Sequence, residues 1–251
     1  MSQIKSNAWL KAVNNSFLIS SPMLNFITGN RIVRNLSKIS SIENAMKSEE
    51  YIAPILVDRT TLLIVDGQHR YLAACNLWKQ GIKYSLNIIL EDFKNPLLAA
   101  INHNSNATNW CSADYVEAYI VDGRDSFVLL KKFVEEHPLF QNIIATNINY
   151  MGAAQLLTSS SCYANIPRGT LKVTVSQCKD ADVIYKELEK IVPITGKTIM
   201  SKSIILAYIE LRPYIKDFKK FLKVLKKRFV MPKTSSKRVW KDALREVIDK
   251  M

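Results

Sequence analysis

The sequence predicts an α+β protein: a small α/β domain over residues 1–105, a mostly helical domain over 106–210, and a basic helical extension over 211–251. Three observations carry this reading. Short apolar, β-branched runs bracket one helical stretch between residues 51 and 90, which is how the strands and helix of a small layered core read. From residue 112 onward, apolar residues recur mainly at helical spacing. The charge is also uneven: of a net +13, the three segments carry +4, −1 and +10.

The elements follow in order. Residues 52–57 (IAPILV) read as a buried strand, 58–60 (DRT) as a turn and 62–65 (LLIV) as a second strand. Asp66-Gly67 makes a tight turn into a helix over 68–80, closed by Gly81. Leu72, Cys75 and Trp78 share one face of that helix, and residues 84–90 (YSLNIIL) form a further strand. Ser112 is the expected N-cap of a helix over 113–121, with Asp114 in its first turn. Asp122-Gly123 breaks it, and residues 126–136 resume with Phe127, Leu130, Phe133 and Val134 on one face. A short helix over 149–157 and a polar run over 158–161 follow, then an extended stretch over 166–175. With Arg168 and Lys172 beyond it, this arrangement admits a degenerate helix-turn-helix, but no good recognition helix follows Ser161. Helices over 180–192 and 201–208 complete the domain.

The basic end centres on residues 214–229 (YIKDFKKFLKVLKKRF). Ile215, Phe218, Phe221, Leu222, Leu225 and Phe229 give one apolar face, between Pro213 at the start and Pro232 at the stop. Lys219, Lys220, Lys223, Lys226, Lys227 and Arg228 lie on the rest, and Lys233, Lys237 and Arg238 precede a last helix over 239–248. Three readings stand side by side: a packing helix solvated by its lysines, an arm that contacts DNA phosphates, and a membrane-adsorbing face. Lys219, Lys220, Lys223, Lys226, Lys227, Arg228, Lys237 and Arg238 are the candidate nucleic-acid residues.

Several classes are excluded. Cys75, Cys111, Cys162 and Cys178 form no C-x-x-C pair, so neither a zinc ribbon nor a redox dithiol is indicated. No apolar run approaches the ~20 residues of a membrane span, and residues 1–17 hold no signal-peptide core. A cytoplasmic protein without membrane attachment is expected. Walker, dinucleotide-binding and hydrolase nucleophile motifs are lacking. The histidines are His69, His103 and His137. The first two admit a metal-dependent nuclease site with Asp66, and His137 before Pro138 suggests a surface helix cap.

The sharpest motif is Asp66-Gly67-Gln68-His69-Arg70. A strand entering a helix through glycine leaves free N–H groups at the helix start, which suits an anion. Gly67 lets the backbone approach a ligand closely. A cation in the first turn, Arg70, opposes the helix dipole, as functional positions often do. A bound phosphate satisfies both. The structural alternative is a plain turn with Asp66 capping the helix.

DGQHR after an apolar strand resembles the ParB/sulfiredoxin-like superfamily, in particular its ParB-like nuclease-domain and DGQHR-type members of phage or plasmid kind. The resemblance covers roughly residues 15–120. It includes Gly29-Asn30-Arg31, the helical stretch 32–46, the strand with Pro54, and an Asn-rich segment carrying Asn109-Trp110 and Asp114-Tyr115. It implies a DNA-associated protein with a phosphate site, holding a nucleoside triphosphate (CTP or ATP) and admitting Mg²⁺. Candidate cofactor-binding residues are then Arg31, Gly67, Gln68, His69 and Arg70, and candidate catalytic residues are Asp66 and His69. Gln68 stands where sulfiredoxin has its catalytic cysteine, so that chemistry is excluded. The kinase branch needs an acidic base, for which Glu43 is the one candidate and a poor match. CTP-hydrolysing ParB proteins carry two adjacent arginines, and here His69 replaces the first. A nuclease or NTPase/kinase using the same pocket, or a protein-interaction module with a degenerate pocket, are the alternatives. A homodimer is one arrangement the sequence allows.

Overall fold

The structure, a computed structural model, describes residues 11–13, 16–31, 33, 36–48, 50, 52–107, 110–142, 147–160, 164–197, 200–232, 234 and 236–251, with the backbone alone at 11–13, 104–107, 142 and 147. Asn109, Ser161, Cys162 and Lys233 lie outside the described residues. The chain forms two compact units, Met1–Asp122 and Gly123–Met251.

The first unit is built on one mixed six-stranded sheet. Its strands are β1 (Lys11–Val13), β2 (Ser16–Ile19), β3 (Asn25–Phe26), β4 (Ile55–Asp58), β5 (Leu63–Asp66) and β6 (Leu86–Glu91), ordered β1-β2-β6-β4-β5-β3. β4 runs antiparallel to β5, with Leu56 opposite Asp66 and Val57 opposite Ile64, and parallel to β6. β4, β5 and β6 are where the sequence predicts them. β1, β2 and β3 were not expected, because pieces of two to four residues are too short to show a period of two.

Helices α1 (Leu36–Lys47) and α2 (Gln68–Lys79) pack against each other. They close a core with Ile19, Ile55, Val57, Ile64, Leu77, Leu86 and Ile88. The α1–α2 contact includes a hydrogen bond from Asn76 Nδ2 to Glu43 Oε1. Tyr71 on α2 ties down the chain before β3: its hydroxyl accepts from Met23 N (3.0 Å) and Leu24 N (2.9 Å) and donates to Leu24 O (3.1 Å). Val65, the neighbour of Ile64 and so on the opposite face, is also fully buried, and α3 (Pro96–Ala107) packs on β5. Pro96 opens α3, as its missing N–H permits.

α4 (Ser112–Val121) packs with α3 and belongs to this unit, although the sequence places it with the helices that follow. Its N-cap is Cys111, one residue before the expected Ser112, and Asp114 accepts from Cys111 N at 2.9 Å.

The second unit contains α5 (Asp125–Glu136), the strand pair β7 (Gln141–Asn142) and β8 (Asn147–Ile148), α6 (Tyr150–Thr158), α7 (Val175–Ile191), α8 (Lys202–Leu211), α9 (Phe218–Arg228) and α10 (Lys237–Asp249). α7 starts five residues before the predicted 180, because Thr174 and Gln177 form a capping box that the extended reading of 166–175 hid. Residues 164–169 form turns, so among the described residues no recognition helix follows α6 before α7.

The basic helix begins at Phe218 and not at Tyr214. Arg212–Tyr214 make a 3₁₀ turn, and Asp217 then caps by accepting from Lys220 N at 2.9 Å. His137 is at the end of α5 as expected, but it is buried (6 % exposed) and not on the surface. Its Nδ1 faces Phe133 O at 2.5 Å and its Nε2 faces Asp182 at 3.2 Å. Its ring stacks on Phe133.

Candidate functional site

The Asp66–Arg70 turn joins β5 to α2. Gly67 is the helix N-cap in the left-handed region (φ 98°), and no side chain caps α2. The expectation that Asp66 caps the helix is therefore not met. The Asp66 carboxylate instead accepts from Arg70 Nη2 at 2.8 Å. Gly67 is also explained by its neighbour: a Cβ there would lie 2.4 Å from Ile55 Cγ2 and 3.2 Å from Arg70 Nε. The close approach it permits is to β4, in addition to any ligand.

Arg70 is turned inward. Nη1 donates to Ala53 O (2.9 Å) and Pro54 O (2.6 Å), just before β4. The side chain is 20 % exposed. Three acceptors of the chain itself occupy a guanidinium that the sequence offers to a phosphate.

His69 presents the opposite situation. Its Nε2 is buried and has no hydrogen-bond partner among the described residues. Burial, with the nearby charges of Lys38 and Arg31, holds its pKa below the usual histidine range, while Asp66 acts the other way. Lys38 on α1 and Arg31 in the preceding loop thus both act electrostatically on this imidazole. Arg31 N donates to Asn30 Oδ1 at 2.8 Å, and Asn30 Nδ2 is a second buried atom without a partner among the described residues. Gln68 is buried beside them in sequence (8 % exposed). Orphaned buried polar atoms are uncommon and costly. Here one lies at an uncapped helix start among cations. That combination suits a dianionic oxygen group such as phosphate.

Lys38 is the residue the sequence reading missed. Its place in the helical stretch before β4 was visible, but which turn of α1 meets α2 is settled by packing.

The other candidates are placed elsewhere. Glu43 is engaged with Asn76 and is not a free base. His103 is exposed and packs edge-on to Phe93 at 6.5 Å. Among the described residues, no three His, Cys, Asp or Glu side chains converge as a metal site would require.

In the second unit, α9 buries Phe221 and Leu225 completely. Its apolar face packs within the protein through these two residues, and Phe218, Leu222 and Phe229 are half-buried. Lys219, Lys220, Lys223, Lys226, Lys227 and Arg228 are exposed, and none has an ion-pair partner among the described residues. Arg238 is likewise exposed. Lys237 differs: its Nζ is 2.8 Å from Glu210, which Lys241 also contacts. Those two ammonium groups, Lys237 first, pull the Glu210 carboxyl down to about 2. Among the described residues no helix is long and apolar enough to cross a membrane.

A polar cluster not foreseen from the sequence joins α7 and α8. Tyr208 donates to Glu187 Oε2 at 2.8 Å, and Arg212 grips the same carboxylate through Nε (2.6 Å) and Nη2 (3.2 Å). It lines a cavity of about 520 Å³ with Ile184, Ile209 and Phe218.

No protein-family model matches the chain, and no curated protein matches it. Among solved structures, a Pnob8-like ParB-N domain is similar over 94 % of this chain and 96 % of its own, at 15 % identity and a TM-score of 0.34. At those values the two backbones superpose loosely.

Proposed function

We propose that the chain is a ParB-like, DNA-associated protein that binds the phosphates of a nucleotide at the β5–α2 turn and DNA through the lysine face of α9. The observation that carries the first half is His69 Nε2: buried, without a partner among the described residues, at the uncapped start of α2, and under the charges of Lys38 and Arg31. A phosphate oxygen gives that nitrogen an acceptor once the imidazole is protonated, and the N–H groups of the first helical turn add to it. The contacting set is His69, Arg31 and Lys38, with Gly67 and Gln68 contributing backbone. The DGQHR resemblance supplies the class of ligand, CTP or ATP, with Mg²⁺ travelling on the triphosphate. Asp66 is held by Arg70, so a binding site is favoured over a nuclease or kinase that needs a free carboxylate base.

The second half rests on six exposed cations along one 11-residue helix. Such a stripe neutralises backbone phosphates without reading bases.

Thermal unfolding with and without CTP, ATP or GTP tests the nucleotide half. A ligand at a hundred times its Kd adds about 2.7 kcal/mol of stability. The cognate nucleotide is expected to raise the midpoint, and the absence of a shift with all three contradicts the reading. Duplex affinity measured against salt tests the DNA half, and a log–log slope near zero rules it out.

A further inference from the structure

We infer that Arg70 is a positioning residue, not a ligand of the anion: its guanidinium clamps the chain entering β4 to the end of β5 and so sets the α2 N-terminus. This rests on the anion site proposed above, and it assigns the DGQHR arginine a different job from the one its sequence suggests.

The geometry is specific. Arg70 donates to the carbonyls of Ala53 (2.9 Å) and Pro54 (2.6 Å), the two residues before Ile55. It also donates to Asp66 (2.8 Å), the residue paired across the sheet from Leu56. The residue between, Gly67, presses its backbone against Ile55, where no Cβ fits. One side chain thus joins the residues that lead into β4 to the last residue of β5, next to the glycine whose left-handed conformation starts the helix.

A planar group with five fixed donors suits three acceptors arranged in this way, and a lysine ammonium suits them less well. An anion drawn to Arg70 would compete with Asp66, which already accepts from it. At His69 Nε2 no such competitor stands among the described residues.

The test uses the full chain labelled with ¹⁵N and ¹³C and titrated with sodium pyrophosphate. The side-chain N–H signals of Arg31 and the ring signals of His69 are expected to move, and those of Arg70 to stay. Arg70→Ala is expected to weaken pyrophosphate binding about tenfold through lost preorganisation. Arg70→Lys should recover part of it, because an ammonium still reaches one or two of the acceptors. The salt dependence of binding should stay as in wild type for Arg70→Ala but flatten for Arg31→Met.

Arg70 signals that move as far as those of Arg31, or a flattened salt dependence in Arg70→Ala, overturn the inference and leave the anion site standing. A wild-type chain that binds no pyrophosphate, with His69 unmoved, overturns the anion site itself and this inference with it. Should Arg70→Ala not fold, the wild-type titration alone decides.

Discussion

At the scale of single residues, Gly67 is fixed by conformation and by space together. A side chain at φ 98° is strained, and the added Cβ would meet Ile55 at 2.4 Å. Left-handed backbone costs a non-glycine residue about 1–2 kcal/mol, and overpacking adds about 1–3 kcal/mol. Gly67→Ala is therefore expected to lower unfolding free energy by at least 2 kcal/mol in urea titration (about 1–2 from backbone strain, the rest from overpacking), and a loss below about 0.5 kcal/mol, the usual range of neutral surface changes, contradicts this. His69 gives a pH prediction. Its folded pKa lies below that of the unfolded chain, so the unfolded state binds the extra proton. Its contribution to stability is present above the unfolded value of about 6.5 and is lost as pH falls below it. Anion binding should do the reverse and draw a proton on. Affinity for sulfate, whose charge is constant over this range, is expected to rise from pH 8 to pH 6 in wild type and to stay flat in His69→Gln. A flat wild-type profile contradicts the role given to Nε2. The strand–glycine–helix turn itself was legible in the sequence. That Arg70 would fold back onto Ala53 and Pro54 was not, because backbone carbonyls carry no sequence signal.

At the scale of elements, α9 has two distinct faces, one buried and one lined with exposed cations. Phe221 and Leu225 are fully buried, so Phe221→Ala should cost about 3–5 kcal/mol of stability. Lys219→Glu with Lys223→Glu leaves that face intact, and should weaken duplex binding and lower the salt slope by about one unit per lysine. Lys237→Ala is expected to change it less, because Glu210 already holds that ammonium. Equal losses for Lys237 and Lys219 contradict the distinction. The α7–α8 cluster makes a further prediction. Glu187→Ala leaves Tyr208, which is 1 % exposed, without its acceptor. The expected cost is about 1–3 kcal/mol, the penalty of an unsatisfied buried group. Helices with strong periodicity, such as α5 and α10, were legible to within a few residues. α7 and α9 began elsewhere than expected because Thr174 and Asp217 act as caps, and a cap competes with the apolar pattern for the boundary. The short strands β2 and β3 take their structure from pairing with β6 and β5, partners that lie far along the chain, and β1 pairs with its neighbour β2.

At the scale of the whole molecule, the two proposed sites belong to different units: the turn at Asp66–Arg70 in the first, the lysine face of α9 in the second. The net +13 is therefore largely a property of one end of the chain, and the Asp66–Arg70 turn lies in a segment of only +4. The α+β class and the separation of basic end from motif were readable from patterning and charge. The grouping of Lys38 with Arg31 and His69 was not, since it depends on how α1 packs on α2. If the sites are independent, charge reversal on α9 leaves nucleotide affinity unchanged. The most direct test of the anion site is a calorimetric titration of CTP and ATP into wild type, His69→Ala and Arg31→Met, each verified as folded. One nucleotide is expected to bind the wild type and to lose at least about tenfold in each variant, about 1.4 kcal/mol at 25 °C. Binding of equal strength in all three chains, or no heat in any, contradicts the assignment.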